Sequence, residues 1–408
     1  MCGCRTSLRT IVLILLIFVS IFSQRFTYGK DDWIENTGDV LQIALPVGAG
    51  VSTLILKDWE GTKQFAKAFG ASWLTTYALK FAVGKMRPNG TARNSFPSGH
   101  TMGAFAGAAF IDNRYGHLYG YPAYALAAFT GFSRVHSDWH FLDDVVAGAS
   151  VSLLWSWYFV TPYKKTDIAK YEEDPLKPRP KYTWSFGPAL LGKNIVRVPA
   201  EGGTEFNLNN FNKNDDPTTT ANAIVTLPLN QKQELEFVLA PFESRDVGQF
   251  SEPLSFADKT FPENIDTRSS WRYYTLQGVW LYSIVNNEQL KFQGGIGLSA
   301  QFTTVELRMV TNTDTIEAKV DDNVILPYMR LVFAYHLSRK FSVIADGQGI
   351  KLSNDSFLDT GISLMWNFNP DWHAAVGYRF YAVEISTDEL FNQVQYPSIF
   401  GVSFGHSF

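Results

Sequence analysis

Three short motifs between Lys80 and Asp144 contain the residue types that phosphoryl transfer requires. In chain order they are Lys80-x6-Arg87-Pro88, Pro97-Ser98-Gly99-His100 and Ser133-Arg134-x5-His140-x3-Asp144. A phosphate ester is cleaved when cations and N–H groups hold its phosphoryl group, a nucleophile attacks in line, and an acid protonates the leaving oxygen. The two histidines, the carboxylate and the three cations of these motifs predict this chemistry, with a covalent phosphohistidine as the intermediate.

The first motif places two cations, Lys80 and Arg87, seven residues apart. That spacing is about two turns of an α-helix, and Pro88 tends to end a helix at the residue before it. We expect both cations to point from the end of one helix toward a common anion. A charge pair at this spacing is also common on a solvated helix face, so this motif is weak alone.

The second motif precedes a run rich in Ala and Gly that begins at Thr101. Its N–H groups are therefore expected at a helix N-terminus, where anions bind. Gly99 lets the backbone approach a ligand, Ser98 can donate through its hydroxyl, and His100 is placed as a general acid. An ordinary helix cap is the alternative explanation of the same residues.

The third motif places His140 and Asp144 four residues apart, so on a helix they share one face. The carboxylate would fix the imidazole tautomer and leave the other nitrogen free to attack phosphorus. Arg134 offers a bidentate clamp for phosphate oxygens. A helix-surface contact is the alternative for the His/Asp pair taken alone.

Histidines are concentrated around these motifs, with four of the seven between residues 100 and 140. Such a concentration makes chance an improbable explanation of the three motifs together. Three nearby residues fill no motif position: His136, Asp138 and Asp143. His136 is a candidate for contact with a substrate head group, whereas Asp143 is expected to face solvent beside Asp144.

The three motifs resemble those of the type 2 phosphatidic acid phosphatase / vanadium haloperoxidase superfamily at every signature position, over roughly residues 35–160. The resemblance implies an all-helical bundle in which His140 is the nucleophile, Asp144 orients it and His100 is the general acid. It also implies a phosphate-binding set that needs no metal or other cofactor for phosphatase activity: Lys80, Arg87, Arg134, Ser98 and the N–H of Gly99. A vanadate-dependent haloperoxidase shares the motifs, with His140 as the ligand of the metal.

At 408 residues the chain is long enough for two folded units. Residues 1–29 are predicted to be a signal peptide, because Arg5 and Arg9 precede a 12-residue apolar core, Ile11–Phe22, that is too short to span a bilayer. An uncleaved membrane anchor is the alternative. Both cysteines lie in this segment, so neither a disulfide nor a cysteine metal site is expected.

Residues 30–160 are predicted to form the helical phosphatase domain, a compact bundle that leans on a membrane without crossing it repeatedly. The predicted helical segments are Val40–Leu56, Thr62–Val83, Thr101–Phe110, a helix opened by Tyr121-Pro122, and Val145–Val160. Residues 161–181 are charged and contain four prolines, which is typical of a linker.

Residues 182–408 alternate between large apolar and small or polar side chains, as in the run 330–337. A strand between lipid and a polar lumen has this pattern, so we expect an antiparallel outer-membrane-type β-barrel of about ten strands, within a range of 8–12. The terminal Phe408 resembles the last residue of a closing barrel strand. A soluble β-sandwich alternates as well, with its apolar face inward, and is the alternative fold.

Basic and acidic residues are nearly balanced, 35 against 39, which argues against a nucleic-acid partner. We therefore expect a phosphatase tethered to the outer membrane by its barrel, with the catalytic domain on the periplasmic side. Its expected substrate is a phosphorylated lipid, including diphosphates, or a small phosphate ester. A transport or adhesion barrel with an accessory helical domain is the remaining alternative.

Overall fold

The computed structural model describes residues 33–163, 181–190, 193–197, 206–207, 218–310, 315–352, 355–386 and 391–407. The chain divides into two compact units, Met1–Glu173 and Asp174–Phe408, called below the helical unit and the barrel unit. The predicted signal peptide, residues 164–180 of the predicted linker, and Phe408 lie outside the described residues.

The described part of the helical unit consists of five α-helices, which confirms the predicted all-helical fold. They are α1 (Trp33–Ile55), α2 (Trp59–Val83), α3 (Gly99–Tyr115), α4 (His117–His136) and α5 (Leu142–Phe159). Helix α4 begins four residues before Tyr121, so Pro122 lies in its second turn and not at its start. Asp58 caps α2 by accepting the N–H of Gly61 at 2.9 Å.

Helix α3 is the central helix, and small residues let its neighbours approach closely. Ala104, Ala108 and Phe110 are fully buried. A Cβ on Gly107 would overlap the backbone of Leu45 in α1. The Ala/Gly run of the sequence therefore serves helix packing, because side chains larger than a methyl would separate the helices.

By length and composition, α1 is the one described helix that could cross a membrane, a test that buried core helices also pass. Large apolar side chains are nevertheless exposed on several helices. Examples are Trp73 and Phe81 on α2 and Leu118 on α4. This surface has the character that a bundle leaning on a membrane requires.

The barrel unit contains ten antiparallel strands that close on themselves, which confirms the predicted barrel and shows the β-sandwich alternative to be wrong. In ring order they are β1 (Lys181–Leu190), β4 (Thr218–Pro228), β5 (Gln233–Gly248), β8 (Thr267–Asn286), β9 (Leu290–Val310), β10 (Thr315–His336), β11 (Phe341–Leu352), β12 (Asp355–Asn367), β13 (Trp372–Ser386) and β14 (Phe391–Ser407). Pairing of β1 with β14, from Lys181↔Ser407 to Leu190↔Ser398, closes the ring. Four short strands lie outside it: β2 (Lys193–Arg197) and β3 (Phe206–Asn207) extend from β14, and β6 (Leu254–Phe256) pairs with β7 (Lys259–Phe261).

The outward face of the barrel changes from apolar to charged along the two long strands β9 and β10. On β10 the exposed residues of one half include Ile325, Met329, Leu331, Phe333 and Tyr335, whereas those of the other half include Glu317, Lys319 and Asp321. On β9 the exposed Ile296, Leu298 and Phe302 likewise give way to Glu306 and Arg308. We call the apolar zone the outer belt, and its composition suits contact with lipid.

The inward face changes in the opposite sense, and side chains fill the lumen. Beside the outer belt Arg330 pairs with Glu236, and Arg379 with Asp346 and Asp359 at 2.5 Å each. Beyond the belt an apolar cluster forms, to which the β6–β7 hairpin contributes Phe256 and Phe261. A packed interior is expected of a ten-stranded barrel, which is too narrow for a wide channel.

Candidate active site

Five helix ends meet at one end of the helical unit, called here the motif end. They are the N-termini of α1, α3 and α5 and the C-terminal ends of α2 and α4. The N–H of Ser98 donates to the Asp144 carbonyl at 2.8 Å, which joins α3 to α5. Arg134 at the end of α4 donates to Asp39 of α1 at 2.7 Å. All eight residues that the sequence singled out lie here: Lys80, Arg87, Ser98, Gly99, His100, Arg134, His140 and Asp144.

His140 and Asp144 approach each other, although not on one helix face as their spacing predicted. His140 lies before α5, Phe141 is the N-cap, and Asp144 is the third helical residue. Asp144 Oδ2 accepts the Phe141 N–H at 2.9 Å, and this cap turns the chain so that His140 Nδ1 lies 3.6 Å from the same oxygen. Nδ1 therefore faces the carboxylate just beyond hydrogen-bond distance, and Nε2 is the nitrogen left for a ligand.

Burial and neighbouring charges set the protonation of this pair. Burial lowers the pKa of His140 to about 4, with Asp144 acting in the opposite direction, so the imidazole is neutral near pH 7. Burial by itself would raise the pKa of Asp144, but Lys85, His140 and Ser95 together hold it well below its usual range. A neutral imidazole beside an ionised carboxylate is the state that a nucleophilic histidine needs.

Lys80 and Arg87 meet beside Asn94, although they do not extend from one helix. Helix α2 ends at Val83, and Gly84 caps it in the left-handed conformation at φ 60°, so Arg87 lies in the following loop. Lys80 Nζ donates to the Asn94 carbonyl at 2.5 Å, and Arg87 Nε donates to Asn94 Oδ1 at 2.7 Å. The two cations therefore approach each other because the chain turns at Gly84, four residues before Pro88, and the loop that follows brings Arg87 back toward Lys80.

The pKa of Lys80 is lowered to about 8, mainly by burial and in part by Arg87, while Asp144 opposes the shift. The Arg87 guanidinium lies over the Trp139 ring, 5.0 Å from its centroid. The Trp139 indole N–H in turn donates to Glu35 Oε1 at 2.6 Å. These contacts hold two partly buried cations close together, which is favourable when an anion binds between them.

Ser98 is the N-cap of α3, so the cap and the anion-site explanations of the second motif apply to the same residue. Its Oγ accepts from the Thr101 hydroxyl at 3.0 Å and from the Thr101 N–H at 3.4 Å. These are acceptor contacts, so the Ser98 O–H can still donate. A Cβ on Gly99 would lie 3.8 Å from Lys80 Cε, which places the Lys80 side chain against the N-terminus of α3.

Asp39 links Arg134 to His100, a contact that sequence reasoning did not predict. Its Oδ1 accepts from Arg134 Nη1 at 2.7 Å and lies 3.3 Å from His100 Nε2. Arg134 is only 2 % exposed and also donates to the Glu35 carbonyl at 2.7 Å and to Ser133 Oγ at 3.1 Å. The one hint in the sequence is that Asp39 directly precedes the apolar part of α1, which has no further acidic residue.

Lys85 and Asp143 were also missed, and the expectation that Asp143 faces solvent is wrong. Asp143 is 1 % exposed, and both of its oxygens lie 2.8 Å from Lys85 Nζ. Asp143 is buried because the N-terminus of α5 packs against the loop after α2. Of the other nearby residues, His136 is exposed and stacks on Phe132 with ring centroids 5.8 Å apart.

Within the described ranges of the chain, no three His, Cys, Asp or Glu side chains group as metal ligands would. The motif end instead combines a buried neutral imidazole, a carboxylate behind it, three cations and a second histidine. This combination on a helical bundle defines the class of the site as one for phosphoryl transfer.

The chain belongs to the PAP2 superfamily. The profile of that superfamily matches residues 62–167, which span the three motifs. The lipid A 4'-phosphatase of Helicobacter pylori is 32% identical over 152 residues, 34% of this chain and 76% of that protein. The lipid A 1-phosphatase of Porphyromonas gingivalis is 45% identical over 80 residues, 19% of this chain and only 18% of that protein's length. These relatives support the phosphatase class that the motifs predicted.

Two solved structures align with parts of the chain. Aquifex aeolicus LpxE is 19% identical with a TM-score of 0.29, over 35% of this chain and 92% of that chain. The outer membrane protease OmpT of Escherichia coli is 10% identical with a TM-score of 0.38, over 56% of this chain and 97% of that chain. The family assignment rests on the sequence matches and not on these two likenesses.

Proposed function

We propose that this chain is a metal-independent phosphatase that hydrolyses a phosphate monoester of a membrane lipid through a phosphohistidine at His140. Lipid A is the first candidate substrate, because both relatives above are lipid A phosphatases. The observation that carries the proposal is the environment of His140. Its imidazole is buried and neutral, its Nδ1 faces Asp144, and Lys80 and Arg87 lie close enough to lower its pKa.

In the proposed reaction His140 Nε2 attacks phosphorus while the ester P–O bond breaks, and His100 gives a proton to the leaving oxygen. Lys80, Arg87 and Arg134, with the Ser98 hydroxyl and the Gly99 N–H, stabilise the charge on the phosphoryl oxygens. A water molecule then attacks phosphorus with His100 as base. The N–P bond breaks, and inorganic phosphate leaves with neutral His140 restored.

The burial of the nucleophile supports a monoester substrate. The His140 side chain is only 2 % exposed, so a reacting group has to project into the site. A terminal phosphate can do so, whereas a phosphorus atom substituted on two sides would be held back by its second substituent.

Exposed aromatic residues around the motif end support a lipid substrate. Trp33 at the start of α1 is 65 % exposed, Phe81 next to Lys80 is 94 % exposed, and Phe132 near the end of α4 is 55 % exposed. Trp33 stacks on Phe129 with ring centroids 6.0 Å apart. Aromatic side chains favour the boundary between lipid and water, where a lipid phosphate is found.

The barrel unit supports attachment to an outer membrane with the helical unit in the periplasm. The outer belt is a surface suited to lipid. Strand β1 begins and β14 ends at the edge where three- and four-residue turns join the strands, for example between β8 and β9. Barrels of this type keep their short turns on the periplasmic side. The linker that precedes β1 would therefore emerge in the periplasm.

Phosphate release by the purified full chain tests the proposal, with lipid A, phosphatidate and a soluble monoester as substrates. We expect His140→Ala and His100→Ala to lose activity by at least about a thousandfold. His117→Ala is the matched control, because His117 is exposed and pairs with Asp112 at the other end of α3. Full activity of His140→Ala would overturn the phosphohistidine. Preference for the soluble monoester would overturn the lipid substrate.

Metal chelation and vanadate test the chemistry separately. Activity that survives EDTA would support metal independence, and loss that a divalent cation restores would contradict it. Halide oxidation by peroxide after addition of vanadate would favour the haloperoxidase alternative over a phosphatase.

The filled lumen favours an anchor over a transport barrel. Arg330 and Arg379 make their ion pairs inside the ring, and the apolar cluster lies beyond them. We expect the purified chain to give no stable ion conductance in planar bilayers. A steady open channel would support the transport alternative instead.

A further inference from the structure

A buried lysine lies between two adjacent carboxylates directly behind the nucleophile pair. Lys85 Nζ lies 2.8 Å from both oxygens of Asp143 and 3.1 Å from Asp144 Oδ1. The exposed fractions of these side chains are 7 % for Lys85, 1 % for Asp143 and 0 % for Asp144. Burying three charges is costly unless they neutralise one another, so the arrangement needs an explanation beyond stability.

The two oxygens of Asp144 have separate partners. Oδ1 faces Lys85, whereas Oδ2 accepts the Ser95 hydroxyl at 2.5 Å and the Phe141 N–H at 2.9 Å, and faces His140 Nδ1. Rotation of the carboxylate would break contacts at both oxygens. Lys85 therefore fixes which oxygen the histidine meets.

The charge count of the group decides what His140 experiences. Lys85 alone with Asp144 would form a neutral pair, and the imidazole would then have no net negative charge beside it. Because Asp143 shares the ammonium, the three groups together carry one net negative charge. That charge stabilises the positive charge that forms on the imidazole during phosphoryl transfer.

We propose that Asp143 and Lys85 are positioning residues that set the orientation and effective charge of Asp144, and through Asp144 the proton affinity and nucleophilicity of His140. This inference rests on the proposed function for the role of His140. Lys85 holds the Asp144 carboxylate in one orientation. Asp143 shares the Lys85 ammonium and so prevents Lys85 from neutralising Asp144.

Other charges face the same pair and have to be held constant in any test. Lys80 of α2 and Arg87 of the following loop both lower the pKa of His140. Arg134 of α4 faces Arg87. Asp39 of α1 contacts both His100 of α3 and Arg134. The Lys85 pKa is raised above its usual range by both carboxylates despite burial, so its charge persists across the working pH range.

Three variants of the full chain test the charge count. The measurement is the dependence of kcat/KM on pH, whose decline at low pH, the acid limb, reports protonation of His140 in the free enzyme. Asp143→Asn should move the limb to lower pH by about one unit, because Lys85 then neutralises Asp144. Lys85→Met should move it to higher pH by at least as much, because two unpaired carboxylates favour the imidazolium. The double variant keeps one net negative charge and should return the limb close to its original position.

Controls separate this role from a structural one. Lys85→Arg keeps the cation and should keep the limb in place. Asp58→Asn with Arg114→Met removes another buried ion pair, 2.5 Å apart at the far end of α3, and should lower stability without moving the limb. If Asp143→Asn and Lys85→Met move the limb in the same direction, or if the double variant does not restore it, the proposal is overturned.

The affinity for orthovanadate, measured by calorimetry across the same pH range, reports the protonation state of His140 without turnover. The reason is that vanadate bonds to the neutral imidazole and not to the imidazolium. Opposite shifts of its pH dependence in the two single variants would support the positioning role even in a chain without phosphatase activity. Unshifted binding in folded variants would refute it. An inactive chain that binds vanadate would overturn the proposed function alone.

Discussion

At the residue scale, the motif end contains buried or half-buried carboxylates that contact the cations and histidines of the three motifs. Asp39 provides the clearest case, since one oxygen contacts both the Arg134 guanidinium and the His100 ring. Burial would raise the pKa of Asp39, but His100 and Arg134 hold it below its usual range, so it is ionised at neutral pH. It can orient both groups at once.

We expect Asp39→Asn to lower kcat/KM by about tenfold or more. The amide keeps the shape of the side chain but loses a charge-assisted hydrogen bond, which is worth roughly 1.5–3 kcal/mol. Glu60→Gln is the control, because Glu60 is exposed on α2 and makes only loose contacts, with Lys63 at 3.9 Å and with Gln64 at 3.4 Å. A rise in activity would instead mean that Asp39 competes with phosphate for Arg134.

Lys80 gives a pH dependence whose sign follows from its lowered pKa of about 8. Below that pH the side chain is an ammonium that attracts phosphate, and above it the neutral amine does not. Inhibition by inorganic phosphate should therefore weaken by about tenfold within about two units above this value. Lys80→Arg keeps its charge, so its inhibition should not weaken there, and parallel curves for both proteins would contradict the assignment.

At the element scale, the site exists because helix ends are brought together at glycines. A Cβ on Gly38 of α1 would overlap the Ser133 hydroxyl and lie 2.9 Å from Arg134 Nη2. Gly148 of α5 is placed in the same way against the Ser98 carbonyl. These close contacts fix where Arg134 and Ser98 stand relative to their neighbours.

Gly38→Ala should therefore destabilise the helical unit by about 1–3 kcal/mol and reduce activity, because α1 has to move away from Arg134. Gly70→Ala is the matched control: Gly70 lies on α2 with no atom within 4 Å of an added Cβ. It should stabilise α2 by roughly 0.5–1 kcal/mol and leave activity unchanged. Thermal unfolding followed by circular dichroism, together with phosphate release, distinguishes the two outcomes.

At the scale of the whole molecule, two compact units follow one another in the chain, so a substitution inside one unit is expected to act mainly on the stability of that unit. The Arg330 side chain is 10 % exposed inside the barrel and pairs with Glu236. Arg330→Met leaves a buried carboxylate without its cation, a loss of roughly 3–5 kcal/mol. We expect a lower unfolding temperature of the barrel with unchanged activity per folded molecule.

Lys319→Met is the control for that experiment. Lys319 pairs with Asp321 on the exposed outward face, where such pairs contribute roughly 0–1 kcal/mol. Its unfolding temperature should match that of the original chain. Equal losses in both variants would show that the lumen ion pairs do not stabilise the barrel.

The sequence by itself determined the class of chemistry, the eight motif residues, the all-helical fold of the first unit and the barrel fold of the second. These features depend on residue identity and on local period, both of which can be read along a chain. Two details of the local structure differ from the prediction: α2 ends at Val83, capped by Gly84, and not at the residue before Pro88, and His140 meets Asp144 through a helix cap.

Only the tertiary structure identified Asp39, Lys85 and Asp143 as parts of the site. Asp143 is 58 residues from Lys85 and Asp39 is 95 residues from Arg134 along the chain, so no local spacing signals either contact. A charged residue is solvent-facing by default, and only packing reveals that its partner has been buried with it. The sequence thus supplies the motif residues, and the fold decides which charges lie next to them.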